Sequence, residues 1–348
     1  MKAWVLEEIG EIKYRDVDRS EPNADWVTVR VEAVGICGSD IPRIYTNGAH
    51  VMPIIPGHEF AGVVSAVGTN VDKSWLKKPV GVYPLIPCRQ CDCCKKGLFE
   101  MCKNYDYIGS RRDGAFAEYV SVPAANLIEL PEGTSFEEAA MLEPMAVAVN
   151  ALRKGTDNLT LDRSLPIVVG GLGTIGMLLA MFLKEASYNN LYLLGNKDGQ
   201  RSRIQSIGIS ADCFYDIREG CPQVEDAAVY FECVGRNETV AQAIEMTGAE
   251  GVIVYVGNPY SDIKLDRDIY WKILRNQLII KGVWNSRFNG EDFDDWHYVL
   301  SRLEGKTISP SKMITHRFNI KDAQKGLEIM KNKTEDYCKI ILKNESFA

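Results

Sequence analysis

Two stretches carry side chains suited to metal chemistry. Gly35-Ile36-Cys37-Gly38-Ser39-Asp40 and, a little further on, Pro56-Gly57-His58-Glu59-Phe60 offer one thiolate, one imidazole and two carboxylates. A mixed set of S, N and O donors suits zinc better than the hard cations, which prefer oxygen alone. These residues are therefore expected to hold a catalytic zinc. A second group, Cys88, Cys91, Cys94 and Cys102, has the spacing C-x2-C-x2-C-x7-C. Two-residue gaps let thiolates converge from one tight loop, and four of them close a tetrahedral shell with no open position. The lobe 88–102 is expected to carry a structural zinc. Cys93 interrupts the run as a rival thiol, and four such sulfurs also suit an iron–sulfur cluster.

The run Gly171-Leu172-Gly173-Thr174-Ile175-Gly176 follows the apolar Ile167-Val168-Val169 and opens an apolar helical stretch. In that setting G-x-G-x-x-G has a mechanism. Gly171 permits the tight turn, Gly173 lets backbone approach a pyrophosphate, and Gly176 allows close helix–strand packing. The helix start, with Thr174 and Ile175, presents N–H groups and a positive dipole end to the phosphates. Past the next strand, where a free ribose hydroxyl usually meets an acid, the chain reads Gly195-Asn196-Lys197-Asp198, with Arg201 beyond. Gly195 removes the acid, while Asn196, Lys197 and Arg201 suit a 2′-phosphate. NADP(H) is thus expected ahead of NAD(H). Two competing readings stand: a small shift of the strand end makes Asp198 the missing acid, and a solvated loop also explains the cations.

These groups need scaffolds. Val27, Val29 and Val31 alternate as in a half-buried strand, and Gly and Pro punctuate the chain up to Gly81, favouring short strands and loops. Ser135-x-x-Glu138 resembles a capping box, before a helix over Ala139 to Ala151 in which Pro144 is expected to introduce a kink. From Leu165, strands at Ile167–Val169, Leu191–Leu194, Val229–Cys233, Gly251–Tyr255 and Leu278–Lys281 alternate with helical stretches, the pattern of a parallel, doubly wound sheet. A helix over Phe293–Leu303 and a strand over Lys339–Leu342 are expected to rejoin the first part. The expected fold class is α/β, with domains over 1–150, 151–285 and a return over 286–348.

The 348 residues suit two domains, and 46% hydrophobic with 25% charged residues is an ordinary globular composition. A net charge of −7 argues against a nucleic-acid partner. No apolar run is long enough to span a membrane, and the start MKAWVLEEIG carries acids where a signal peptide needs an apolar core. A cytoplasmic protein with no membrane partner is expected, in which clustered cysteines are ligands more readily than disulfides.

Taken in order, these pieces resemble the zinc-containing medium-chain dehydrogenases over nearly the whole chain, together with Asp113-Gly114-Ala115-Phe116-Ala117-Glu118-Tyr119 and Glu143-Pro144. The polyol branch is the most similar, because Glu143 stands where alcohol dehydrogenases generally place a third ligand Cys. The stretches Pro42 to His50 and Ile108 to Gly114 resemble dehydrogenases that act on galactitol 1-phosphate. The resemblance implies a GroES-like β-rich catalytic domain, a Rossmann domain, an active site in the cleft between them, and a homodimer or homotetramer. It implies Cys37 and His58 as zinc ligands, Glu143 as the third and Glu59 as a swing ligand. Asp40 would orient His58, and Ser39 matches a proton-relay position. Arg111 and Arg112, with Tyr45 and His50, are candidates for substrate contact, one arginine holding a phosphate; a solvated turn is the other reading of the arginine pair. The implied activity is reversible hydride transfer between a secondary alcohol of a polyol or polyol phosphate and the nicotinamide cofactor. Alternatives are an unphosphorylated polyol, another alcohol or ketone, and, in a different class, a catalytically inert NADPH-binding protein.

Overall fold

The computed structural model of the chain describes residues 1–344 apart from Ser20, Glu225 and Asp292. The first part is built from short strands. β1 (Lys2–Glu8) and β2 (Glu11–Asp16) form an antiparallel hairpin, and β3 (Trp26–Ile36) follows with its β-branched residues buried. Next come β4 (Glu59–Val67), β5 (Pro79–Val82), β6 (Leu85–Ile86), β7 (Asp106–Tyr107), β8 (Tyr119–Pro123) and β9 (Leu127–Glu129). Ser135 Oγ accepts from the Glu138 N–H at 3.2 Å and caps a single turn, Phe136–Ala139. A separate helix then runs over Leu142–Gly155. The expected kink at Pro144 is corrected here: Pro144 stands in the first turn of that helix, where its missing N–H costs nothing and its fixed φ is already helical.

The alternating pattern after residue 165 forms six strands. They are β10 (Ile167–Gly170), β11 (Leu191–Gly195), β12 (Phe214–Asp216), β13 (Ala227–Glu232), β14 (Thr247–Tyr255) and β15 (Ile279–Gly282). All pair in parallel, in the order β12-β11-β10-β13-β14-β15, so the winding reverses between β10 and β13. All four residues of β10 are buried, as a central parallel strand covered on both faces requires. The helix Thr174–Glu185 returns from it with an almost wholly buried run from Gly176 to Leu183. β12 was not expected from the sequence; three residues are too few for any periodicity.

The chain then forms the helix Asp295–Glu304, β16 (Ile314–Asn319), the helix Ala323–Asn332 and β17 (Lys339–Lys343). β16 and β17 extend the first sheet, whose order is β16-β17-β3-β4-β5-β9. β4 takes one edge of β3, while β17 and β8 share the other: β17 pairs with Ala33–Ile36 and β8 with Trp26–Arg30. Packing divides the chain into two compact units. One comprises Met1–Glu143, Arg287–Gly305 and Ile314–Ala348, and the other Pro144–Ser286 with Lys306–Met313. The first is β-rich and the second carries the parallel sheet, the α/β class expected. None of the described helices is long and apolar enough to cross a membrane.

Phe182 has no solvent exposure and anchors the Thr174–Glu185 helix. Phe182→Ala is expected to destabilise the parallel-sheet unit by about 3–5 kcal/mol. Urea unfolding followed by far-UV circular dichroism checks this, and a loss below about 1 kcal/mol would contradict the packing.

Candidate active site

β3 and β4 are antiparallel with Gly35 opposite Glu59, so the chain leaving β3 at Cys37 lies beside the chain entering β4 at His58. β17 sets Ile340 opposite Ile36 and brings Lys339 to the same end. Three neighbouring strand ends therefore assemble one site. Ligand atoms of Cys37, His58 and Glu59 all lie within 4.8 Å of one another.

Asp40, fully buried in the turn after Cys37, accepts from the Cys37 N–H at 2.9 Å and from Arg43 Nη1 at 2.5 Å. Its Oδ1 is 3.5 Å from His58 Nδ1, which has no hydrogen-bond partner among the described residues. Burial alone would raise the Asp40 carboxyl, but His58, Arg43 and the Cys37 N–H hold it below the usual range. Burial would likewise lower His58, yet the charges of Asp40 and Cys37 raise it well above its ordinary value. Ser39 Oγ donates to Cys37 Sγ at 3.3 Å. An imidazole, a thiol and a carboxylate brought this close together attract a cation, and the S/N/O set fits zinc.

Glu59 is paired with the Lys339 ammonium, which also donates to the Ile36 carbonyl at 3.1 Å; both side chains are about 2% exposed or less. A methyl group on Gly35 would run into both partners, so the pair depends on that glycine. Glu143 is not part of that set. It is buried, accepts from the Tyr107 hydroxyl at 3.3 Å, and is raised to about 7 by burial and by Glu59, against His58 and Lys339. The structure thus brings Glu59 together with Cys37 and His58, and sets Glu143 beside them.

In the second cluster, ligand atoms of Cys88, Cys91, Cys94 and Cys102 are also within 4.8 Å of one another, and Cys93 is not part of the set. The backbone N–H of Cys88 donates to Cys102 Sγ at 3.2 Å. Backbone N–H groups of Cys94 and Lys103 lower the Cys91 thiol to about 6, whereas burial pushes Cys94 up to about 12. Four thiols packed this closely fit one tetrahedral zinc.

The glycine turn stands at the carboxyl end of β10, where the winding reverses. Gly171 has φ +96°, and a side chain there would strike Val234. Gly173 is exposed, and a Cβ on it would project into open space, leaving a backbone cradle at the helix start. Thr174 and Ile175 are half-buried in that first turn, while a Cβ on Gly176 would meet the Gly171 carbonyl. This cradle fits a dinucleotide pyrophosphate. Two residues missed from the sequence fix it. Gln200 accepts from the N–H groups of Asn196 and Lys197 (2.8 and 2.9 Å) and donates to the Leu172 carbonyl (2.8 Å), tying the β11 end to the turn. Glu232, opposite Gly170, accepts from the N–H groups of Val234 and Gly235 and from Thr239, each at 2.8 Å. Gly195 leaves room for Gln200 and Phe214. Arg201 donates to the Ala211 carbonyl at 3.2 Å and lies over Phe214, whereas Asp198 is bound by Arg218, itself held by Asp216.

The remaining candidates are dispersed. Tyr45 is half-buried with Lys331 Nζ 4.1 Å from its ring centre, and the exposed His50 bonds through its backbone N–H to Ser110. Among the described residues neither hydrogen-bonds to the metal donors. Arg112 pairs with Asp106, while Arg111 lies over Tyr105. Both arginines border a cavity of about 550 Å³ that none of Cys37, His58, Glu59 and Glu143 lines. Lys339 and Tyr107 also escaped the sequence reading; a lysine opening the apolar run Ile340–Leu342 was the one available signal.

Residues 23–132 match the alcohol dehydrogenase GroES-like domain, and residues 137–342 match the glucose dehydrogenase C-terminus. The chain is 32% identical over 318 residues to galactitol 1-phosphate 5-dehydrogenase of Escherichia coli, covering 88% of this chain and 90% of that protein. The crystal structure of galactitol-1-phosphate dehydrogenase from Escherichia coli superposes with a TM-score of 0.86 at 29% identity, covering 99% of this chain and all of that one. A Sinorhizobium meliloti protein described as a zinc-binding dehydrogenase, solved with NADP bound, gives 0.85 at 26% identity with 98% of each chain covered.

Gly35→Ala is expected to displace the Glu59–Lys339 pair and to weaken zinc at the Cys37 centre about 10–100-fold, as loss of outer-shell partners generally does. Chelator competition on the purified protein checks this; an unchanged affinity would show that the pair does not support the donor set.

Proposed function

The chain belongs to the zinc-containing medium-chain dehydrogenases, in their polyol branch, and on that premise we propose that it reversibly oxidises a secondary alcohol of a polyol phosphate, with galactitol 1-phosphate the first candidate. The observation that carries the reading is the convergence of Cys37, His58 and Glu59 at the joined ends of β3 and β4. Zinc bound there supplies a Lewis acid that makes an alcohol easier to deprotonate, and the nicotinamide accepts the hydride. Cys37 and His58 are the fixed donors. Glu59 and Glu143 compete for the third place, Glu59 restrained by Lys339 and Glu143 by Tyr107. Asp40 orients His58 and anchors the Cys37 backbone. Ser39 carries the alcohol proton outward.

The glycine cradle holds the pyrophosphate. NADP(H) is favoured over NAD(H) because the β11 end presents Gly195, Asn196 and Lys197, and the nearby Asp198 carboxylate is taken up by Arg218. The substrate assignment draws on the similarity to galactitol 1-phosphate 5-dehydrogenase; an unphosphorylated polyol is the alternative outcome of the same assay.

The working form is a homodimer joined through the parallel-sheet unit. β15 ends that sheet, with Ile279 and Ile280 46% and 45% exposed. The adjoining helix Arg267–Arg275 buries none of its residues and exposes Tyr270, Trp271 and Leu274. An apolar sheet edge is normally covered, and two identical edges can pair about a twofold axis.

Rates with matched polyols and polyol phosphates, each with NAD and NADP, test the activity. Cys37→Ser should abolish turnover, retain NADP(H) binding, and lower the metal content from about two zinc ions per chain to about one. Normal turnover in metal-depleted Cys37→Ser protein would overturn the mechanism. For the dimer, Ile280→Glu should give monomers by sedimentation velocity; an unchanged assembly would place the interface elsewhere.

A further inference from the structure

We infer that Arg111, and not its neighbour Arg112, binds the terminal phosphate of the substrate; the inference rests on the polyol phosphate dehydrogenase reading above. The two guanidiniums are adjacent in sequence and differ in state. Arg112 is ion-paired with Asp106 and lies 5.1 Å from the Trp26 ring centre, so its charge is already matched. The Arg111 guanidinium has neither ion pair nor hydrogen bond among the described residues. It lies over the Tyr105 ring at 4.5 Å, with Nε buried and unpartnered. Its two terminal nitrogens are not among the buried unpartnered atoms, so they open to solvent.

This is the arrangement of a guanidinium kept for an anion. The ring fixes the plane, the inner edge is shut off, and the outer pair of N–H groups is free to grip two oxygens in parallel. An unpartnered charged donor beneath the surface is unfavourable by itself, and an anion on the outer edge strengthens the site without any rearrangement of protein ion pairs. Arg112 would first have to release Asp106.

The position of Arg111 relative to the metal donors agrees with that role. Tyr105 meets Tyr107 edge-on, with centroids 6.3 Å apart. Tyr107 meets His58 edge-on at 5.8 Å and bonds to Glu143. Arg111 thus stands at the outer end of a ladder of rings that begins at the metal donors. An anion held there lies several bonds from the carbon whose hydrogen is transferred, as the phosphate of a linear polyol 1-phosphate oxidised near its other end would.

The test uses the zinc-loaded full chain, with wild type, Arg111→Gln and Arg111→Lys compared on a hexitol, its 1-phosphate and the matching aldonate. Arg111→Gln should lower kcat/KM for the phosphate about 10–100-fold and leave the hexitol within about threefold, with Arg111→Lys in between. Calorimetric titration with the hexitol phosphate should show the same loss of affinity. An equal loss on hexitol and hexitol phosphate, an unchanged phosphate preference, or a stronger effect on the aldonate than on the phosphate would overturn the inference. If wild type oxidises none of the three, the dehydrogenase reading fails, and the titration still decides whether Arg111 holds a phosphate ester.

Discussion

The ion pair between Lys339 and Glu59 is the constraint on which the catalytic unit turns. Both charges are almost fully removed from water, and breaking such a pair by deleting one partner typically destabilises by about 3–5 kcal/mol. To make it, β17, β3 and β4 must lie side by side, Gly35 must carry no side chain, and the Ile36 carbonyl must face the ammonium.

The parallel-sheet unit uses neutral and singly charged hydrogen-bonding side chains for the comparable task. Gln200 ties the end of β11 to the glycine turn, and Glu232 gathers two backbone N–H groups of the loop that abuts Gly171. Both are buried and belong to no short motif. They act by removing alternatives: a turn held by its neighbours on both sides presents its N–H groups without first having to be ordered, which is what preorganisation contributes to phosphate binding.

Local spacing explains what was readable from residues alone. The cysteine lobe, the glycine turn and the pair Cys37/His58 are each encoded within a few residues or at the ends of adjacent strands. The five longer strands of the parallel sheet were visible as apolar runs, whereas three-residue β12 was not. Lys339 was hidden because its partner lies 280 residues away, and strand order decides that contact. Tyr107 was hidden for the same reason. Pro144 misled because the same residue kinks a helix interior and starts a helix well, and only the boundary distinguishes the two. The nearly identical Arg111 and Arg112 differ through Asp106, a partner that no motif picks out.

The discontinuity of the metal-binding unit has a consequence for how the protein is made. β17, the last of the described strands, fills the position between β16 and β3, and Lys339 lies at its start. Until β17 emerges from the ribosome, the Ala33–Ile36 stretch of β3 is unpaired on that side and Glu59 lacks its counter-ion. The parallel sheet meets no such delay, since its six strands all lie between Ile167 and Gly282. Domains tend to fold as they are synthesised. The parallel sheet is thus complete before β17 exists, and until that strand emerges the Ala33–Ile36 edge of β3 is an unpaired edge open to wrong pairing.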